Sequence, residues 1–494
     1  MAVAAWAVTV AFADDAGTGS WNQFRGPNVQ GVAPDGRVPT EFGPDRQVVW
    51  KTALPPGHSS PVLWDQRLYV TAAEPTNAQE LLVIALQASD GQERWRRTVR
   101  SESAGSFHPL NHPAASTPAV DAERVYVYFG TYGLVCYDHA GREQWQRRID
   151  TPPSKYGMAT SPILHGGRVI LALDGDRGTS RLLAVEGATG RTVWEQPRPL
   201  FRAGWATPII WRHEGTEELI VLGSKRLTAY RPDTGEEIWW ASGFPDETVC
   251  VPVAGGGLLF AGGAALGGRG DDVIDAGTMW RQTLADYDAN RDGRIQREEM
   301  TAGFAFVQRP ELPKDNPGYA LPVGNMDNLL KYLDHDHDGV ISESEWNEKM
   351  AGFAASSHPN LAAFRPGATN DARPGHLAWE IRRGVPEVPS PVYCDGRLFL
   401  LRDGGLLTCL EAATGQEIFR ERLGAAGQYI ASPVVAGDRL VTASAEGVVC
   451  VIRVADRFEL LARRAMGEAV FATPAVQGKR LYLRTEHRLY ALGE

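Results

Sequence analysis

Between residues 288 and 345, acidic side chains recur at a spacing that builds oxygen shells around a hard cation. Asp288, Asn290, Asp292, Gly293 and Glu299 follow the pattern D-x-[DN]-x-[DN]-G-x5-E, and Asp334, Asp336, Asp338, Gly339 and Glu345 follow it again. In each loop, positions one, three and five offer side-chain oxygens and the Gly at six allows a sharp turn. Position seven offers a backbone carbonyl, from Arg294 and Val340, and the Glu at twelve closes the shell with both carboxylate oxygens. Position nine, Gln296 or Ser342, would act through a water. This many oxygens selects Ca²⁺ over Mg²⁺, so two calcium sites are expected, with a structural role at the roughly 10⁻⁴ to 10⁻³ M affinity that suffices outside a cell. His335 and His337 alternate with the aspartates and point away from the ion, which argues against zinc.

Helical stretches at 279–287, 298–307, 326–333 and 343–353 flank the two loops, the arrangement of an EF-hand pair. Ile295 and Ile341, at position eight of each loop, are placed to form a short two-stranded contact. This helical segment interrupts a β-rich chain. A Ser/Thr-Pro step followed by an alternating strand recurs at Pro61, Pro118, Pro162, Pro208, Pro391, Pro433 and Pro474, with Val251-Pro252 as a variant. Each unit adds further short strands. Most then end in a Gly turn and an aromatic residue: Gly91 and Trp95, Gly141 and Trp145, Gly190 and Trp194, Gly235 and Trp239, Gly415 and Phe419. The Gly supplies the positive φ of a tight turn, and the aromatic caps an outer strand against the next unit. Four strands in about 40–45 residues make one propeller blade.

Eight Pro steps predict eight blades. The last repeat stops before its terminal aromatic, and Val48-Val49-Trp50 supplies the missing strand, which closes the ring and removes its open edge. Fold class is therefore an all-β, eight-bladed propeller of four-stranded antiparallel blades, closed by the N-terminal strand. The long gap between Pro252 and Pro391 places the helical insertion in blade five. Expected boundaries are a truncated signal peptide at 1–13, an N-terminal extension at 14–46, blades at 47–265, the EF-hand insertion at 266–370 and the remaining blades at 371–494.

The Ser/Thr-Pro start and the Thr-Gly-x-x-x-Trp end, as in Thr189-Gly190 to Trp194, resemble the pyrroloquinoline-quinone-like propeller repeats. Such repeats occur in quinoprotein dehydrogenases and in the propeller lipoprotein of the bacterial outer-membrane β-barrel assembly machinery. Trp21-Asn22-Gln23-Phe24-Arg25-Gly26-Pro27-Asn28 is similar to the opening of secreted bacterial proteins of this kind. The resemblance implies pyrroloquinoline quinone (PQQ) as a candidate cofactor, seated between a tryptophan and a disulfide of adjacent cysteines beside a Glu/Asn/Asp calcium site in the propeller. No two of Cys136, Cys250, Cys394, Cys409 and Cys450 are adjacent, and the calcium motifs here lie in the insertion. These thiols are expected to be free and buried.

The segments that precede the Pro steps should converge on the channel mouth. They carry His58, His112, Tyr156, Trp205, Glu247, Glu387, Tyr429 and Phe471, the candidate ligand-binding ring. No phosphate-binding Gly loop, G-x-S-x-G elbow or H-E-x-x-H motif is present. A net charge of −10 disfavours nucleic acid as a partner. Apolar residues 1–13 end in Ala11-Phe12-Ala13, as a signal peptide does, and no other stretch is long and apolar enough to span a membrane. The reading is an exported, monomeric, calcium-binding scaffold of the periplasm or extracellular space that binds a protein or an envelope polymer. A PQQ-dependent oxidoreductase and an enzyme acting on extracellular polysaccharide are the alternatives.

Overall fold

A computed structural model describes residues 20–176, 179–199, 201, 204–264, 276–300, 304–307, 320–322, 330, 333–348 and 359–494. Eight blades, each with four antiparallel strands, surround one axis as the repeat count predicts, and blade seven gains a fifth, parallel strand from Val32–Ala33. Blade one runs from its inner strand, Val62–Trp64, to its outer strand, Glu93–Arg100. The eighth blade is completed by Val48–Ala53, which pairs antiparallel with Arg488–Gly493 at its outer edge. Ring closure thus covers an edge that would otherwise be open to aggregation.

The Ser/Thr-Pro step has a physical role. Pro lacks a backbone donor, so it sits where the inner strand begins and needs none. The hydroxyl before it accepts a hydrogen bond from the same position one blade earlier. Ser60 N donates to Thr117 Oγ1 at 2.9 Å, Thr117 N to Ser161 Oγ at 3.0 Å, and Ser161 N to Thr207 Oγ1 at 3.1 Å. The series resumes with Val251 N to Ser390 Oγ, Ser390 N to Ser432 Oγ and Ser432 N to Thr473 Oγ1, each at 3.0 Å. Val251, with no hydroxyl, interrupts the belt at blade five.

A second belt joins the blades at the perimeter. The indoles of Trp50, Trp95, Trp145, Trp194 and Trp379 donate to backbone carbonyls of the following blade: Ala88, His139, Gly187, Pro232 and Ala412. Under each indole lies that blade's turn glycine. A Cβ on Gly190 (φ 71°) would fall 2.6 Å from the Trp145 ring. The turn therefore needs Gly twice, for its φ and for the space the indole takes. Trp239 departs from the pattern and donates to Glu218 within its own blade. Blade five covers blade four differently, since Trp240 exchanges backbone hydrogen bonds with Asn370 and Ala372.

The insertion leaves blade five between its second strand, Leu258–Gly263, and its third, Asn360–Phe364. The expected boundary at 370 is thus too late. Asn360–Phe364 is a wholly buried, alternately paired blade strand that the acidic and helical composition before it obscured. Inside the insertion, helix Ala276–Tyr287 precedes the first loop, and Trp280, Ile295, Met300, Phe304, Leu333, Ile341 and Trp346 form a separate small core. The helix expected at 298–307 is absent over its last part. Ala305–Val307 is a strand paired with Ala320–Pro322, as β-branched and aromatic residues followed in sequence by Pro310 favour. The expected helix at 326–333 lies mostly outside the described residues, and that at 343–353 is described only through 348.

The N-terminal segment is part of the propeller core. Inner strands present backbone N–H groups to the axis, and each needs an acceptor. Residues 20–37 supply them blade after blade. Leu63 N donates to Trp21 O, Val120 N to Asn22 O, and Val435 N to Gly31 O, each at 2.8 Å. Leu164 N donates to Gln23 Oε1, Ile210 N to Asn28 Oδ1 and Ala254 N to Gln30 Oε1. Asn28 Nδ2 returns a 2.7 Å bond to Ile210 O, and Val32–Ala33 pairs parallel with Val435–Ala436. Arg25, fully buried, reaches Pro391 O in blade six, and Arg37 N bonds Gly478 O in blade eight. One end of the channel is therefore plugged by the chain itself.

Candidate functional site

The two acidic loops are shaped alike, residue by residue. Position four takes the left-handed conformation in both (Arg291 φ 63°, His337 φ 62°), followed by Gly293 (φ 78°) and Gly339 (φ 83°). Backbone amides then turn inward onto the carboxylates. Gly293 N donates to Asp288 Oδ2 at 2.9 Å and Gly339 N to Asp334 Oδ2 at 3.0 Å. Arg294 N donates to Asp292 Oδ1 and Val340 N to Asp338 Oδ1, both at 2.9 Å. Glu299 spans the first loop from Ala289 N to Gln296 N, and Glu345 spans the second from His335 N to Ser342 N. Against the opposing effect of burial, the larger single influence, the Ser342 hydroxyl and then these backbone donors hold the Glu345 carboxyl below its usual range. Carboxylate oxygens of Asp334, Asp336 and Asp338 all lie within 4.8 Å of one another. Ile295 pairs with Ile341, as predicted, so the loops stand back to back. This donor set is hard and all-oxygen, and it could hold one divalent cation per loop.

The candidate ring at the other end of the channel divides into two clusters and one residue that stands outside it. His58 stacks on Phe471 (4.4 Å between centroids) and lies 5.1 Å from His112. Burial lowers His58 to about 3, with His112 and Arg484 adding to the effect, and burial beside Arg484 lowers His112 to about 4. His112 Nδ1 accepts Ala114 N–H at 3.1 Å, so in the neutral ring the proton sits on Nε2. A second group joins His108, Tyr156 and Trp205 edge to face at 5.0 and 5.2 Å. Burial, then Glu247 and Glu387, raise the Tyr156 phenol, while Glu247 itself is paired to Lys155. Trp205 is buried, with its indole N–H bonded to Gly157 O at 2.7 Å.

Tyr429 does not belong to the ring. It is buried among Leu407, Cys409 and Cys450 between blades six and seven, and its hydroxyl donates to Ala425 O. An aromatic at the start of a Pro-step segment can turn outward between blades as readily as toward the axis, which is why its sequence position misled.

Sequence spacing gave no hint of Arg484. Fully buried, it donates to Ser59 O, Ser59 Oγ, Thr71 O and Pro55 O, and burial pulls the guanidinium down to about 9. His108 and Lys155 were also missed; each lies a few residues from a ring member and carried no repeat signature. All five cysteines are free and buried. Burial pushes Cys250 and Cys409 up to about 12, so these thiols are poor nucleophiles.

The insertion is rooted at this rim. Ala264 N, at its near end, donates to Pro386 O beside Glu387, and Asn360, at its far end, bonds Gly243 O. The plug, by contrast, occupies the opposite end of the inner strands.

Eight four-stranded blades, belted by Ser/Thr-Pro steps and tryptophan caps, define a closed propeller of the quinoprotein repeat type with an acidic-loop insertion. The chain belongs to the family described as outer membrane protein assembly factor BamB, whose model matches residues 34–213 and 330–493. An EF-hand family model matches residues 281–305, which hold the first loop. The outer membrane protein assembly factor BamB of Yersinia pestis is 22% identical over 274 residues, covering 54% of this chain and 60% of that relative. The chain therefore aligns with less than two thirds of the relative's length. The crystal structure of BamB from Moraxella catarrhalis shares 12% identity at a TM-score of 0.51, covering 90% of this chain and 98% of the other. The quinohemoprotein alcohol dehydrogenase of Comamonas testosteroni shares 13% identity at a TM-score of 0.55, covering 97% and 81%. These two likenesses are of fold.

Proposed function

We propose that the protein is an exported, calcium-binding propeller that serves as a noncatalytic scaffold of the cell envelope. Its working face is the one that carries the insertion, opposite the N-terminal plug, and its partner is an envelope protein or polymer. The observation that carries this reading is the pair of matching oxygen loops in an insertion rooted at the end of the inner strands opposite the N-terminal plug. Family membership supports an envelope role, and no described helix is long and apolar enough to cross a membrane. Calcium would neutralise the repelling carboxylates and lock the small core around Trp280 and Trp346, which lie 5.4 Å apart.

The propeller likeness to the alcohol dehydrogenase favours a second reading, a PQQ-dependent oxidoreductase. Against it stands the lack of adjacent cysteines to form the seat that the repeat resemblance implies. A polysaccharide-acting enzyme finds less support, since Glu247 is engaged by Lys155 and both mouth histidines are held neutral.

Calorimetric titration of the full chain with Ca²⁺ tests the scaffold reading. Binding that is abolished in the Glu299→Gln/Glu345→Gln variant, together with no absorbance shift and no dye-linked alcohol oxidation on adding PQQ with Ca²⁺, is the expected result. A bound quinone with turnover would replace the scaffold by the oxidoreductase.

A further inference from the structure

The two loops share a backbone and differ in charge. Loop one offers three carboxylates, Asp288, Asp292 and Glu299, whereas loop two offers four, Asp334, Asp336, Asp338 and Glu345. In loop one the amides already satisfy part of the shell. Asn290 Nδ2 donates to Asp292 Oδ2 at 3.0 Å and to Gln296 Oε1 at 3.2 Å, and Gln296 Nε2 donates to the same Asp292 oxygen. A cation entering loop one must break those bonds. In loop two the residues at the same positions are Asp336, Asp338 and Ser342. The oxygens of Asp334, Asp336 and Asp338 crowd together, and although backbone amides donate to them as in loop one, no side-chain amide stands at these positions to occupy the shell.

The residue at position seven also differs. Val340 in loop two corresponds to Arg294 in loop one, and the Arg294 guanidinium crosses between the loops to lie 3.9 Å from Asp338 Oδ2. Back-to-back pairing through Ile295 and Ile341 makes this reach possible.

We infer that loop two is the stronger site and fills first, and that Arg294 is a built-in counter-charge that weakens it. This rests on the calcium reading above. Arg294 relieves the mutual repulsion of the carboxylates before the ion arrives and opposes the ion's charge afterwards. Both effects lower affinity. The pair is exposed (55% and 45%), so screening keeps the effect modest. Charge count at the ligands is the variable that sets affinity in such loops.

Titration of the full chain at low salt, in wild type and four variants, decides the matter. Wild type should show two sites at least about tenfold apart. Glu345→Gln should remove the tighter one and Glu299→Gln should spare it. Asn290→Asp should tighten the weaker site, and Arg294→Met should tighten the stronger by about three- to fivefold, less at high salt. Removal of the tighter site by Glu299→Gln, or an unchanged or weakened strong site in Arg294→Met, overturns the inference. Two equal sites in wild type overturn the asymmetry alone, while no binding in wild type overturns the calcium reading and this inference with it.

Discussion

Lowering the pH from 7.5 to 5.0 should destabilise the propeller through His58 and His112. Both are neutral at pH 7.5 because burial, reinforced by the uncompensated Arg484 guanidinium, holds them near 3 and 4. Once the chain unfolds, each ring recovers an ordinary value near 6.5. Below pH 6.5 the unfolded chain therefore takes up protons that the folded chain refuses. The stabilisation is complete above 6.5 and is lost progressively as the pH falls toward 4. At pH 5.0 the arithmetic gives about 2 kcal/mol for each ring, from 1.5 pH units at 1.36 kcal/mol per unit. Partial exposure of both rings halves this to about 2 kcal/mol for the pair. In a chain of this size that is a loss of a few degrees in Tm. Thermal melts followed by circular dichroism at both pH values, in wild type and in His58→Gln/His112→Gln, isolate the effect because the carboxylates titrate equally in both proteins. An equal loss of Tm in the two proteins would refute it, as would a His58 ring proton resonance that titrates near 6.5.

Gly190→Ala should cost about 2–4 kcal/mol, combining strain at φ 71° with the Trp145 ring in the way, whereas Gly167→Ala, at φ 72° with nothing within 4 Å, should cost only about 1 kcal/mol. Comparing their Tm values separates the indole cap from backbone strain. Asn28→Ala removes two hydrogen bonds to Ile210 and leaves a buried N–H and C=O unpaired, so unfolding should occur about 1–3 kcal/mol sooner without change in Ca²⁺ binding.

Periodic features were legible in the sequence. Blade count, ring closure by Trp50 and the Ile295–Ile341 pairing each follow from a residue type recurring at a fixed interval, because each repeat solves the same packing problem. Features that occur once were not. Arg484 looks like any strand-end arginine, and its burial depends on Ser59, Thr71 and Pro55, distant in sequence. Tyr429 had the right position and the wrong direction, since a side chain's rotation toward axis or interface is set by neighbouring blades. The strand at Asn360–Phe364 was hidden because small apolar residues after a helical insert carry no alternation to read.

The opening motif illustrates the same limit and gives the molecule its polarity. Trp21, Asn22, Gln23, Asn28 and Gln30 lie outside the repeats in sequence, yet they answer a need the repeats create. Inner strands turn donors toward an axis where neighbouring blades cannot reach them, and a segment rich in amide side chains can accept at uneven distances where a regular strand cannot. Blade-to-blade variation in acceptor, backbone at Leu63 and Val435 but side chain at Leu164, Ile210 and Ala254, is what threading one short chain past many strands requires. The plug takes one end of the inner strands, and the insertion is rooted at the other, where Ala264 N bonds Pro386 O beside Glu387. On the proposed function, calcium in loops rooted there would alter what that face presents without any change inside the blades, which would tie calcium binding to the face proposed to meet a partner.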